Sequence, residues 1–133
     1  MLGQAMMTTV SGPPFTILRE ADVIEDLPNL YGGDGIISAR YFRFNNTPAP
    51  ANFVIFDIPP GASEGVHTHP HAGPNGFDEY YYVMDGEGEM TLDGTCVPIR
   101  SGDHIHAPPG VAHGVRNRLP DKSLRIFLTY IQR

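Results

Sequence analysis

Apolar positions along this chain come in short runs, broken every few residues by Gly, Pro, Asp or Asn, and no stretch sustains the three-to-four spacing of a long helix. The runs predict strands at residues 15–18, 36–44, 53–58, 67–69, 80–84, 89–92, 95–99, 104–107, 112–117 and 123–131. Residues 36–44 (IISARYFRF) form a long strand rich in β-branched and aromatic residues, and 53–58 (FVIFDI) reads as a central one. Turns are expected at 32–35, 59–61, 101–102, 108–110 and 120–121. Asp85-Gly86 and Asp93-Gly94 are expected to be hairpin turns, since Asp-Gly between alternating runs is a strong hairpin signal. The segment from Glu20 to Tyr31 has room for one helical turn. Residues 1–14 read as a loose arm, 45–52 as a loop, and 70–78 as a Pro/Gly-rich loop. Ten short strands at this spacing imply an all-β fold, a sandwich or barrel of antiparallel sheets over residues 15–133.

Composition sharpens that picture. At 133 residues, 41% hydrophobic and 18% charged, the chain is long enough for one domain with a real core. The net charge of −6 argues against a nucleic-acid backbone as partner. A single cysteine, Cys96, excludes an intrachain disulfide and a thiolate zinc cluster. The N-terminal stretch has no basic region followed by an apolar core, and no apolar run approaches a membrane span. A cytoplasmic protein with no membrane partner is the expectation.

The candidate chemistry lies in the histidines. His67 and His69 are two apart, so on an extended strand their rings project from one face, and neutral imidazole suits zinc, copper, iron and nickel. Glu79 opens the next strand-forming run, and His113 is the candidate fourth ligand. These residues sit in two spaced patterns. Gly61, five residues, His67, one, His69, nine, Glu79, six and Gly86 make the first; Gly102, five, Pro108, one, Gly110, two, His113, three and Asn117 make the second. Both resemble the signatures of the cupin superfamily, whose members are small jelly-roll β-barrels. The nine-residue gap before Glu79 departs from the family, where three or four residues are usual. The resemblance spans residues 61–117. It implies that His67, His69, Glu79 and His113 bind one divalent transition metal (Fe, Mn, Ni, Cu or Zn) inside the barrel. It also implies a homodimer, and an edge strand at 36–44 would suit pairing between chains.

Other residues carry open alternatives. If Glu79 points elsewhere, Asp78 or His71 could complete a three-histidine site. His71 is either a solvated loop histidine or a proton shuttle at the site mouth. Tyr81 shares a face with Glu79, where it is either a catalytic hydroxyl or a barrel-lining aromatic. His104 and His106 form a second His-x-His and are expected at a surface or subunit interface. Arg40 and Arg43 fall on opposite faces of their strand, and whichever faces the cavity could anchor a substrate carboxylate. Function is then a metal-dependent enzyme acting on a small oxygen-bearing molecule, as a dioxygenase or a redox-neutral isomerase, cyclase or lyase. The alternative is a non-catalytic module that binds a sugar or effector, since this fold hosts many chemistries. The 70–78 loop is the expected lid or specificity element.

Overall fold

The computed structural model describes residues 15–44 and 51–133. The expected arm at 1–14 and most of the expected loop at 45–52 lie outside them. Ten strands occur among the described residues: β1 (Ile24–Pro28), β2 (Ile36–Phe44), β3 (Ala51–Ile58), β4 (Ser63–His67), β5 (Phe77–Asp85), β6 (Glu87–Leu92), β7 (Thr95–Arg100), β8 (His104–Ala107), β9 (His113–Asn117) and β10 (Leu124–Gln132). They form two antiparallel sheets, one of six strands in the order β1-β2-β3-β10-β5-β8 and one of four in the order β4-β9-β6-β7. The all-β jelly-roll expectation holds.

Alternation decides which side chains fill the space between the sheets. β2 sends Ile37 and Ala39 inward, β3 sends Val54, Phe56 and Ile58, β5 sends Tyr81 and Val83, and β10 sends Leu124, Ile126 and Leu128. The small sheet answers with Met90, Ile99 and Val115. All of these are buried, so each Val, Leu, Ile, Phe or Met among them contributes roughly 1.5–3 kcal/mol of transfer free energy.

Several expectations need correction. Residues 15–18 form no strand, and Phe15 and Ile17 are exposed. The segment from Glu20 to Tyr31 holds more than one turn: a 3-10 turn at Glu20–Asp22, the edge strand β1, and a second 3-10 turn at Leu30–Gly32. β2 is therefore not an edge strand, since β1 flanks it on one side and β3 on the other. The two strands joined at Asp85-Gly86 do not pair with each other, so no hairpin forms there. β5 belongs to the large sheet and β6 to the small one, and Gly86 makes the step between them at φ +97°. A Cβ on Gly86 would lie 2.8 Å from the Ser123 carbonyl oxygen, so both conformation and space demand glycine. The Asp93-Gly94 hairpin does form, with positive φ at both residues as a primed turn requires.

The second glycine-bounded pattern also closes a corner. Asn117 is buried, donates from Nδ2 to the carbonyls of Ile58 and Lys122, and accepts the Leu119 amide on Oδ1. It ties the end of β9 to the end of β3 and to the turn that precedes β10.

Candidate metal centre

One end of the barrel holds the histidines. β4 and β9 pair so that His67 stands opposite His113. His69 lies beyond the end of β4, so the expected strand at 67–69 is corrected to one ending at His67. Its ring reaches the site because the Gly110 amide donates to its carbonyl at 2.9 Å, which fastens it to the Pro108–Gly110 corner. Glu79 comes from the opposite sheet on β5. One nitrogen from each histidine and a Glu79 oxygen lie within 4.8 Å of one another.

Hydrogen bonding orients the rings. The Nδ1–H of His67 donates to the Gly65 carbonyl and that of His113 to the Val111 carbonyl, both at 2.8 Å. Each Nε2 is thereby left to face inward, the arrangement by which outer hydrogen bonds aim metal-binding imidazoles. Glu79 Oε1 lies 2.6 Å from His69 Nε2, 2.7 Å from His113 Nε2 and 3.9 Å from His67 Nε2. His67 Nε2 is buried with no hydrogen-bond partner at all. Such a nitrogen is costly to leave bare. Three imidazoles converging on one carboxylate oxygen, with one lone pair unanswered, suit a divalent cation, and the mixed N/O donor set suits a first-row transition metal. His67, His69, Glu79 and His113 thus form a candidate metal site; which metal they would hold is not given by the donor set.

The electrostatics agree. Burial alone would push the Glu79 carboxyl up, but the hydrogen bond from His113 and the surrounding imidazoles hold it down at about 2. Burial alone would lower His113, but its bond to the Glu79 carboxylate and the Val111 carbonyl raises it. A positive charge is what this cluster lacks and favours.

Around the ligands is a cavity of about 160 Å³. Its walls include Tyr41, Val54, Phe56, Phe77, Leu128 and Tyr130, mostly apolar or aromatic, with Glu64 as a second acid beside Glu79. Sequence reasoning passed over Glu64. It stands three residues before His67, an odd spacing that would put the two on opposite faces, but a β-bulge between them brings both inward. Glu64 is buried and accepts a hydrogen bond from the Tyr81 hydroxyl at 3.0 Å. Burial, reinforced by the charge of Glu79, pushes its carboxyl up to about 7, against the pull of His67, His113 and Tyr81. Tyr81 is fully buried, and burial followed by the Glu64 charge raises its hydroxyl well above the usual value.

Tyr31 is another residue without a sequence signal. It takes positive φ in the turn before β2, and its ring stacks on His67 with centroids 3.6 Å apart and planes 10° from parallel. The approach depends on Gly65, where a Cβ would strike the Tyr31 carbonyl.

The remaining candidates lie apart from the cluster. His71 is exposed against Gly110 and is not among the converging ligands. Asp78 faces away: it pairs with His106 at 2.8 Å and Arg133 at 2.7 Å. His104 and His106 are exposed on β8, as expected, although His106 does have an acid partner in Asp78. Tyr80, Tyr82 and Met84 take the face of β5 opposite to Glu79, Tyr81 and Val83, as alternation predicts.

A family model described as a cupin domain matches residues 54–130. The chain is 30% identical over 106 residues to the oxalate-binding protein of Thermotoga maritima, a match covering 76% of this chain and 82% of that protein. The crystal structure of a predicted oxalate decarboxylase from Thermotoga maritima superposes with a TM-score of 0.75 at 27% identity, covering 89% of this chain and all of that one. A polyketide cyclase from Streptomyces resistomycificus shares the fold, with a TM-score of 0.67 at 18% identity over 87% of this chain and 78% of that one.

Proposed function

We propose that this chain, which belongs to the cupin family, is a metal-dependent enzyme acting on a small molecule whose oxygen atoms chelate the metal. The observation that carries this reading is the convergence of His67, His69, Glu79 and His113, two of which, His69 and Glu79, line a mostly apolar cavity, with a buried imidazole nitrogen left unpartnered. These four residues would hold the metal, which would supply Lewis-acid polarisation of a carbonyl or enolate oxygen, or a place for dioxygen.

The chain's own residues supply the rest. Glu64 lines the same cavity, and with Oε1 held by Tyr81 its Oε2 is the atom that takes or returns a proton. Tyr81 works through Glu64: its hydroxyl fixes the carboxyl and does not itself line the cavity. His71, exposed beside the corner that holds His69, is the candidate for passing protons to solvent. Phe77, Tyr130 and Leu128 exclude water from the ligand. Dioxygenase and redox-neutral isomerase, cyclase or lyase chemistry both fit such a site. The 70–78 segment, whose last two residues, Phe77 and Asp78, belong to β5 and not to the expected loop, serves as the specificity element. A homodimer and a cytoplasmic location belong to the same reading, and light scattering tests the first. No helix among the described residues is long and apolar enough to cross a membrane.

A second reading has its own support. The Thermotoga relative is named for binding oxalate, so this chain could bind a small acid without turning it over. Metal analysis followed by substrate trials under air and under argon separates the readings. One bound metal with substrate-triggered oxygen uptake marks a dioxygenase. Turnover under argon marks an isomerase, cyclase or lyase, and saturable binding without turnover marks the module. A protein that takes up no divalent metal sinks both metal-dependent readings.

A further inference from the structure

The two arginines of β2 meet opposite fates. Arg40 faces outward and is held by Asp57 at 2.5 Å and Glu20 at 3.2 Å. Arg43 falls on the inward face, one alternation beyond Ile37, Ala39 and Tyr41, and is exposed where that face reaches solvent. Its guanidinium carbon sits 4.2 Å from the centre of the Tyr41 ring. It also acts on the Tyr130 hydroxyl, whose proton burial would otherwise hold more tightly. Tyr41 and Tyr130 both line the metal-site cavity.

What Arg43 lacks is an acid. Arg40, Arg116, Arg118, Lys122, Arg125 and Arg133 each pair with a carboxylate. All fifteen acidic residues lie among the described ones, and none forms an ion pair with Arg43. Glu25 influences the Tyr41 ring from β1 without reaching the guanidinium. Arg19 and Arg100 also lack an ion pair, but neither lines the cavity. Arg43 is thus a cation laid on an aromatic face beside the cavity, in reach of the Tyr130 hydroxyl and with no carboxylate paired to its fork of donors. Stacking on Tyr41 limits its rotamers, which reduces the ordering cost of receiving a planar anion.

We propose that Arg43 anchors a carboxylate borne by the substrate at the end opposite its metal-chelating oxygens, with the Tyr130 hydroxyl as a further donor. The substrate class is then a chelating keto or enol acid with a second, remote carboxylate, its apolar middle packed against Tyr41 and Leu128. Guanidinium receives carboxylate through two parallel hydrogen bonds, which gives direction as well as charge. This rests on the metal reading above, because the chelating end needs the ion.

The test uses full-length protein loaded with cobalt(II), with ligand binding followed by the visible absorption of the ion. The probes are oxaloacetate, α-ketoglutarate and α-ketoadipate, each set against the α-keto acid of equal chain length that ends in a methyl group. We expect the dicarboxylate of at least one length to bind roughly tenfold tighter or better. Arg43→Gln removes that preference while cobalt affinity and binding of the methyl-ended partner stay unchanged. Arg43→Lys retains part of it, as charge without the fork should. Equal binding of every pair by the native protein overturns the inference, as does a preference that survives in Arg43→Gln. Failure of the protein to take up cobalt is a different result: it removes the metal reading itself, and this inference with it.

Discussion

His67-x-His69 and His104-x-His106 are the same sequence pattern with different ends. The first pair converges with His113 on Glu79 inside the barrel. The second lies exposed on β8, where His106 bonds to Asp78 and stacks flat on Tyr80 at 4.6 Å. The two acids are sequence neighbours on β5. One alternation separates them, so Glu79 faces the cavity and Asp78 faces solvent. A histidine pair therefore takes its chemistry from the face of the acid that answers it. Burial then sets the strength: inside, the ligand atoms lack water to compete for them, whereas the outer pair is a hydrated surface contact.

That contrast can be broken at graded cost. The largest effect is expected for His113→Ala, which removes a ligand and should lower affinity for a divalent metal by more than about 100-fold, read by calorimetry against a competing chelator. An affinity within a few fold of the native value would mean that the inner cluster is no metal site.

Glu64→Gln comes next, and it sharpens the inner half of the comparison. In the folded protein Glu64 titrates near 7 instead of its ordinary 4.5, so the fold binds its proton more tightly than the unfolded chain does. Its favourable contribution is complete below 4.5 and disappears as pH rises through 7. In chelator-treated protein, native and Glu64→Gln melting curves should stay parallel in acid. The variant should then gain by roughly 5 °C or more on the alkaline side. Parallel Tm profiles across the whole range would show that Glu64 is not held protonated by burial.

The smallest effect belongs to the outer pair. His106→Ala should leave metal affinity where it was and move Tm by no more than about 2 °C, as loss of an exposed contact does. If it instead abolished metal binding, the division between the two pairs would fail.

Much of the fold was legible because it is local. The runs IISARYFRF, FVIFDI and EYYYVM placed three strands, alternation told which side chains of the first and third share a face, and the two spaced patterns pointed to all four candidate ligands. The misses were nonlocal. Residues 15–18 look like a strand but form none, whereas 24–28, with two acids and a proline, become one because β2 offers them a ladder. Asp85-Gly86 carries a hairpin signal, but β6 pairs with β7 and β9 instead of β5. Glu64 was hidden by a bulge, and Tyr31 by a left-handed turn that no propensity announces.

What the chain determined alone is most of the strands, which residues share a side within a strand, and the donor types available for a cation. What only the assembled barrel decided is which faces meet. His67 and His113 pair across one sheet, Glu79 arrives from the other, Glu64 is turned inward, and Arg43 is left without an acid. The division follows from range: side-chain alternation is a property of one extended segment, while burial, register shifts and convergence arise only when segments distant in sequence compete for the same interior.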